Sequence, residues 1–279
     1  MSDMHASESA RHSDSWESDR KRVETLALLI DRGERPLEGQ DAVITGAGRG
    51  IGRAAALTLG KLGALVTLVS RTPSDLQETA ELIHRIGAEA SLRPCDVSAP
   101  EQVRALFEDT DVDILINAAG VNVPQPFLAV TEDIYERVMT VNVKATFVTS
   151  QHAVRRMLAQ RHGGVIVNVS SQMAHVGGPD RSVYCASKAA VEGLTRALAV
   201  ELAHADIRVN SVAPTFIETA MTADSLAKPS FRHWALEQLP IGRFGTVDEV
   251  AAAIGFLASP AASLITGISL IVDGGWTAH

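Results

Sequence analysis

The chain has 279 residues, 46% of them hydrophobic and 21% charged, with a formal net charge of −8. That length suffices for one large α/β domain, and an acidic chain without a basic stripe argues against a nucleic-acid partner. No apolar run reaches the roughly 20 residues a membrane span needs, and two cysteines give neither a disulfide framework nor a zinc spacing, so a membrane partner and a bound metal are not expected and a reducing cytoplasm is.

Residues 1–20 are dense in Ser, Asp, Glu and His and lack the apolar core of a signal peptide, so they are expected to be disordered. Val23 to Ile30 is apolar enough for a short amphipathic helix, ended by Gly33 and Pro36. Residues 1–36 therefore read as an extension, and 37–279 as the folded domain. From Leu37 onward, apolar strands alternate with helices. Ala42–Thr45 leads into a helix to Leu62, Leu65–Ser70 into one from Ser74 to Gly87, and Ala90–Pro94 into one near Glu101–Phe107. Ile114–Asn117 precedes a long helix from Glu132 to Arg161, and Val165–Ser170 precedes another from Tyr184 to Ala203. Ile207–Val212 opens a long irregular segment, and Leu270–Val272 closes the set. Strands of nearly continuous Val, Ile and Leu alternating with helices predict a single doubly wound parallel sheet of Rossmann type, covered on both faces. Ligands of such sheets bind beyond the carboxyl ends of the strands. Gly46, Ser70, Asp96, Asn117 and Ser171 all fall there.

The first turn carries the earliest chemical signal. Gly46-Ala-Gly-Arg49-Gly50-Ile51-Gly52 sits between a strand and an alanine-rich helix, the context in which a glycine pattern indicates a dinucleotide site. Glycines let the backbone approach a pyrophosphate at the positive end of the helix. The spacing differs from Gly-x-Gly-x-x-Gly. At the end of the second strand, where a carboxylate would accept the ribose 2′-hydroxyl, stands Ser70, followed by Arg71. A guanidinium binds phosphate through paired hydrogen bonds, and Arg49 offers a second cation to the same region. NADP(H) is therefore expected ahead of NAD(H). Further on, Tyr184 and Lys188 stand four residues apart on one helix face. A free phenol titrates near 10. A neighbouring ammonium is expected to lower that value toward the range of a general acid/base acting on a carbinol oxygen.

Taken together, Thr45–Gly52, Cys95-Asp-Val97, Asn117-Ala-Ala-Gly120, Val141-Asn142-Val143, Asn168-Val-Ser-Ser171, Tyr184-x-x-x-Lys188, Arg208-Val-Asn210 and Val272-Asp-Gly-Gly275 resemble the short-chain dehydrogenase/reductase family over about Leu37 to Trp276. The resemblance implies that Tyr184 is the general acid/base, that Lys188 lowers its pKa and holds the nicotinamide ribose, and that Ser171 bonds the reacting carbonyl oxygen. It also implies that Asn142 lies at an irregularity in the long helix and holds a relay water. Asp96 and Val97 would flank the adenine, Asn117 and Gly120 would belong to the cofactor site, and Pro214, Ile217 and Thr219 would lie near the carboxamide. The second asparagine of Asn-Asn-Ala-Gly is Ala118 here, and the usual Pro-Gly is Pro214-Thr215. A homo-oligomer, commonly a tetramer, is implied as well.

The substrate is less legible. Gln172, His175, Val176 and Arg181 follow the serine, and Phe216 to Leu239, with Trp234, resembles a mobile substrate loop. Val69-Ser-Arg-Thr72, Gln125-Pro-Phe-Leu128, Ser182-Val-Tyr-Cys185 and Pro214-Thr215 are similar to the dicarbonyl/L-xylulose reductases, which implies an NADPH-dependent reductase of ketoses or dicarbonyls. Oxidation of a sugar acid or hydroxy acid is the alternative. A regulatory protein without turnover is the third reading, disfavoured because Asn142, Ser171, Tyr184 and Lys188 are all present.

Overall fold

The structure, a computed structural model, describes residues 35–278; the extension's expected disorder and its helix at Val23–Ile30 lie outside these residues. Seven parallel strands form one sheet in the order β3-β2-β1-β4-β5-β6-β7. They are β1 Asp41–Thr45, β2 Leu65–Ser70, β3 Ala90–Pro94, β4 Ile114–Asn117, β5 Gly164–Val169, β6 Ile207–Pro214 and β7 Ser269–Val272. Strand order reverses between β1 and β4, the switch point at which an open parallel sheet leaves a crevice.

Both faces of the sheet are covered, which is why its strands lack alternation: Val43 and Ile44 of β1 point to opposite faces and both are fully buried. On one face lie α1 (Gly50–Lys61), α2 (Pro73–Arg85) and a later helix, Val247–Ala258. Helix α2 presents Leu76, Ala80 and Ile83 inward at helical spacing, and all three are buried. Burying a Leu or Ile side chain contributes about 1.5–3 kcal/mol. On the other face lie α3 (Pro100–Glu108), the long helical run from Glu132, and α6 (Ser182–Leu202).

The long run is two helices. α4 (Glu132–Met139) and α5 (Ala145–Gln160) are joined by one π turn over Thr140–Lys144, with Asn142 inside it. The expected irregular segment after β6 also contains regular structure: α7 (Ala223–Leu226), α8 (Pro229–Glu237) and α9, the helix at Val247–Ala258. α9 starts at a capping box in which Thr246 accepts from the Glu249 N–H and Glu249 accepts from the Thr246 N–H. Its apolar face of Val250, Ala251, Ile254 and Leu257 then packs beside α1.

Candidate active site

A cavity of about 670 Å³ opens along the carboxyl ends of β1, β2, β4, β5 and β6. Its first wall is the β1–α1 turn. A Cβ on Gly52 would lie 2.2 Å from the carbonyl oxygen of Gly46, and one on Gly46 would lie 2.8 Å from the Ala119 backbone nitrogen. The turn is thus pressed both against its own helix and against the end of β4, which no side chain permits. Arg49, Gly50 and Ile51 line the same wall. Ser70, Arg71, Thr72 and Asp75 form the next corner, where a Cβ on Gly48 would meet Asp75 Cβ at 2.7 Å and Ser70 Oγ at 3.1 Å. Asp75, in the first turn of α2, was not among the residues expected at the site.

Asp96 and Val97 continue the lining. Burial alone would raise the Asp96 carboxyl, but bonds from the Ser98 N–H (2.9 Å) and hydroxyl (2.6 Å), with the charge of Arg71, leave it below its ordinary value. Gly120 also lines the cavity; Asn117 does not. Asn117 is buried beneath it, donating to Ser150 Oγ (3.0 Å) and Asn168 Oδ1 (2.9 Å) and accepting from Thr149 Oγ1 (2.7 Å). Its amide joins β4 to β5 and α5 and so supports the wall from beneath. Asn142 behaves similarly. It accepts from the Val121 N–H (2.8 Å), donates to the Val121 carbonyl (2.9 Å) and donates to Ser187 Oγ (3.0 Å). The π turn aims its side chain at the loop after β4 and at α6 together.

At the far end stand Ser171, Tyr184, Lys188, Pro214, Ile217 and Thr219. Lys188 Nζ donates to the Val169 carbonyl at 2.8 Å and lies 5.8 Å from the centroid of the Tyr184 ring. Burial pushes Lys188 down from 10.5 to about 8, with Glu192 one turn later acting against the fall. The expectation for Tyr184 is reversed. Burial raises its phenol above 10, although the Ser171 hydroxyl and the Arg181 charge pull the other way. Desolvation of the phenolate outweighs both.

None of the four expected substrate residues lines the cavity. Gln172 is buried and accepts from Ser171 Oγ at 3.1 Å. His175 Nε2 pairs with Ser269 Oγ at 3.0 Å. Trp234 packs in an aromatic cluster with Phe216, Phe231 and Trp276, ring centroids 5.4–6.4 Å away. Arg181, the N-cap residue of α6, is buried. The lining instead includes Asn122, Thr215 and Met221. Asn122 Oδ1 and Thr215 Oγ1 are buried without a partner among the described residues. Such orphans usually mark where a ligand completes the network. With the glycine turn cleared of side chains at the start of α1, they fit a bound nicotinamide dinucleotide.

The similarities agree with this geometry. A family model described as enoyl-(acyl carrier protein) reductase matches residues 46–277. L-xylulose reductase of Bos taurus is 40% identical over 242 residues, covering 87% of this chain and 98% of that protein. D-erythrulose reductase of Gallus gallus is 40% identical over 238 residues, covering 85% and 96%. A gluconate 5-dehydrogenase from Burkholderia cenocepacia, solved with NADP and tartrate, matches with a TM-score of 0.84 at 34% identity, covering 88% of this chain and 98% of its own. A parallel sheet of this order, a glycine-lined cavity holding Ser171, Tyr184 and Lys188, and relatives aligned over nearly their full length lead to one conclusion: the chain belongs to the short-chain dehydrogenase/reductase family of NAD(P)-dependent oxidoreductases acting on carbonyl and alcohol groups.

Proposed function

We propose that this enzyme reduces small ketones, ketoses or vicinal dicarbonyls and takes NADP(H) in preference to NAD(H). The observation that carries the reading is one cavity shared by Ser171, Tyr184 and Lys188 with Arg49 and Arg71. The two guanidiniums suit a 2′-phosphate, and Ser70 in place of an acid removes the repulsion one would meet. When bound, the reduced nicotinamide supplies the hydride that reaches the carbonyl carbon. Ser171 holds the carbonyl oxygen by donating its hydroxyl. Tyr184 gives its proton to that oxygen, and Lys188 offsets the negative charge left on the ring. Burial raises the Tyr184 phenol above its ordinary pKa, so at neutral pH it holds the proton that the carbonyl oxygen takes up. Asn142 positions Val121 and α6 around the reacting atoms. Similarity to a gluconate 5-dehydrogenase favours, as the second reading, oxidation of a sugar acid by the same groups in reverse.

Consumption of NADPH with L-xylulose, D-erythrulose and diacetyl, followed beside Tyr184→Phe, tests the proposal. The variant should lose about 10²–10⁴-fold in kcat. Near wild-type turnover by that variant, or equal kcat/KM with NADH, would overturn it. We also propose a homotetramer working in the cytoplasm. Half-exposed Tyr135 and Phe147 and exposed Val200 on α4, α5 and α6 support association, and the unpaired Cys95 and Cys185 suit a reducing compartment. No helix among the described residues is long and apolar enough to cross a membrane. Light scattering giving a monomer mass at micromolar concentration would remove the tetramer.

A further inference from the structure

Glu192 is a buried carboxylate that no step of the reaction uses. It lies one turn after Lys188 on α6, at 3% relative exposure, among the inward-facing residues Lys188, Val191 and Thr195. A glutamate is ordinarily ionised at neutral pH, and a buried carboxylate is costly unless it is hydrogen-bonded and matched by a positive charge. The hydrogen bonds are present. Ser211 Oγ on β6 donates to Glu192 Oε2 at 2.8 Å, and Ser269 Oγ on β7 donates to Oε1 at 2.9 Å. Because the Ser269 hydroxyl proton goes to the carboxylate, its oxygen accepts from His175 Nε2 at 3.0 Å. Donors from two strands and from the loop after β5 therefore converge on one carboxylate of α6.

Its matching charge is one turn away. Among the described residues no lysine or arginine forms an ion pair with Glu192, and His175, at 3.8 Å, is charged only when protonated. Lys188 has the complementary lack. It is 5% exposed, donates to the Val169 carbonyl at 2.8 Å, and has no carboxylate within ion-pair distance among the described residues. Residues four apart on a helix share a face, so these two buried groups of opposite sign face one another across the turn. Glu192 is also the charge that opposes the fall of the Lys188 ammonium on burial. The other titratable groups around the pair are Tyr184 and Arg181 on α6 and His175 from the loop after β5. From β6 and β7 come the Ser211 and Ser269 hydroxyls, and from the π turn the neutral Asn142 amide, which flanks Gly120 together with Lys188 Nζ.

We propose that Glu192 is a positioning residue of the reaction: the counter-charge, held in place by Ser211 and Ser269, that keeps Lys188 an ammonium beside Tyr184. The inference rests on the reading of Tyr184 as proton donor to a carbonyl oxygen. A neutral amine could not offset the charge left on the ring, so turnover needs the protonated lysine. Glu192 then sets how far the pH can rise before the buried lysine is discharged. A carboxylate about one helical turn away, acting through an effective dielectric of about 20, moves such a group by roughly one to two pH units.

The test replaces Glu192 by Gln, which keeps the size of the side chain and a partner for each serine while removing the charge. In NADPH-saturated reduction of L-xylulose, the alkaline limb of the kcat/KM profile should fall about one to two pH units lower in Glu192→Gln than in wild type, with the profiles converging toward about pH 6. Glu192→Asp should bring the limb most of the way back, and His175→Asn should leave it in place. A loss equal at every pH would mark a merely structural clamp and overturn the proposal, as would a limb that moves as far in His175→Asn. Denaturant unfolding of the cofactor-free protein reads the same proton without turnover. A lysine whose folded pKa lies below its unfolded value adds stability as pH rises through the folded value, so that climb should also begin about one to two pH units lower in Glu192→Gln. A shifted climb in a protein that reduces no carbonyl supports the counter-charge and refutes the reductase reading; carbonyl turnover with limb and climb both unmoved does the reverse.

Discussion

Substituting Gly52 by Ala tests the claim that the β1–α1 turn is shaped by backbone contact. The added Cβ would lie 2.2 Å from the oxygen and 2.6 Å from the carbonyl carbon of Gly46, where ordinary contact begins near 3.4 Å. Neither atom belongs to a movable side chain. Gly46 cannot retreat, because it is itself held at φ 69 against the backbone of Ala119. Overpacking of this sort costs about 1–3 kcal/mol, and an overlap of more than 1 Å with backbone belongs near the top of that range. For a domain of this size 1 kcal/mol moves Tm by roughly 2–4 °C, so Gly52→Ala should melt about 6–12 °C early. NADPH should then give no further thermal shift, since the relaxed turn closes the space over the start of α1. Gly120→Ala is the control. Its Cβ would meet only Asn142 Oδ1 at 3.5 Å and Lys188 Nζ at 3.7 Å, both ordinary contacts, and its Tm should stay within about 2 °C of wild type. Differential scanning fluorimetry with and without NADPH reads both. A Gly52→Ala protein with wild-type Tm and an undiminished NADPH shift would refute the reasoning.

The other expectations are briefer. Lys188→Met should abolish turnover yet stabilise the fold by up to about 3 kcal/mol at pH 7, because burial holds the folded lysine at about 8 against 10.5 unfolded. Below pH 8 both states of wild type carry the proton and the folded state bears the full desolvation cost. Between pH 8 and 10.5 only the folded state sheds it, so the wild type gains stability there and the variant's advantage should fade; denaturant melts at pH 7 and 10 would show a constant gap if this were wrong. Arg71→Asp should lower NADPH kcat/KM by about 10- to 100-fold and raise the relative rate with NADH, since a charge-assisted phosphate contact is exchanged for repulsion; an unchanged cofactor ratio would place the phosphate elsewhere. Thr246→Ala should cost about 1 kcal/mol through loss of the α9 cap, seen as a Tm drop of roughly 2–4 °C without change in KM.

Much of this enzyme is written in local pattern. Strand boundaries, the glycine turn and the spacing of Tyr184 and Lys188 were legible because each depends on neighbours within a few residues: period, capping and helical pitch. Helix α9 belongs to the same class, since Thr246 and Glu249 spell a capping box ahead of an alanine-rich apolar run. What pairing and burial decide was not legible. Asn117 became an internal brace because the register of β4 on β5 sets it opposite Asn168. Gln172 and Trp234 were drawn into packing by Ser171 and by an aromatic cluster spanning 60 residues of chain, from Phe216 to Trp276. The sign of the Tyr184 shift turned on desolvation, which no spacing reports. The sequence by itself determined a hydride-transfer fold and its reacting pair, through interactions a few residues long. The tertiary structure alone decided which polar groups face the cavity and which are consumed holding it open, because burial and long-range contacts distribute those side chains.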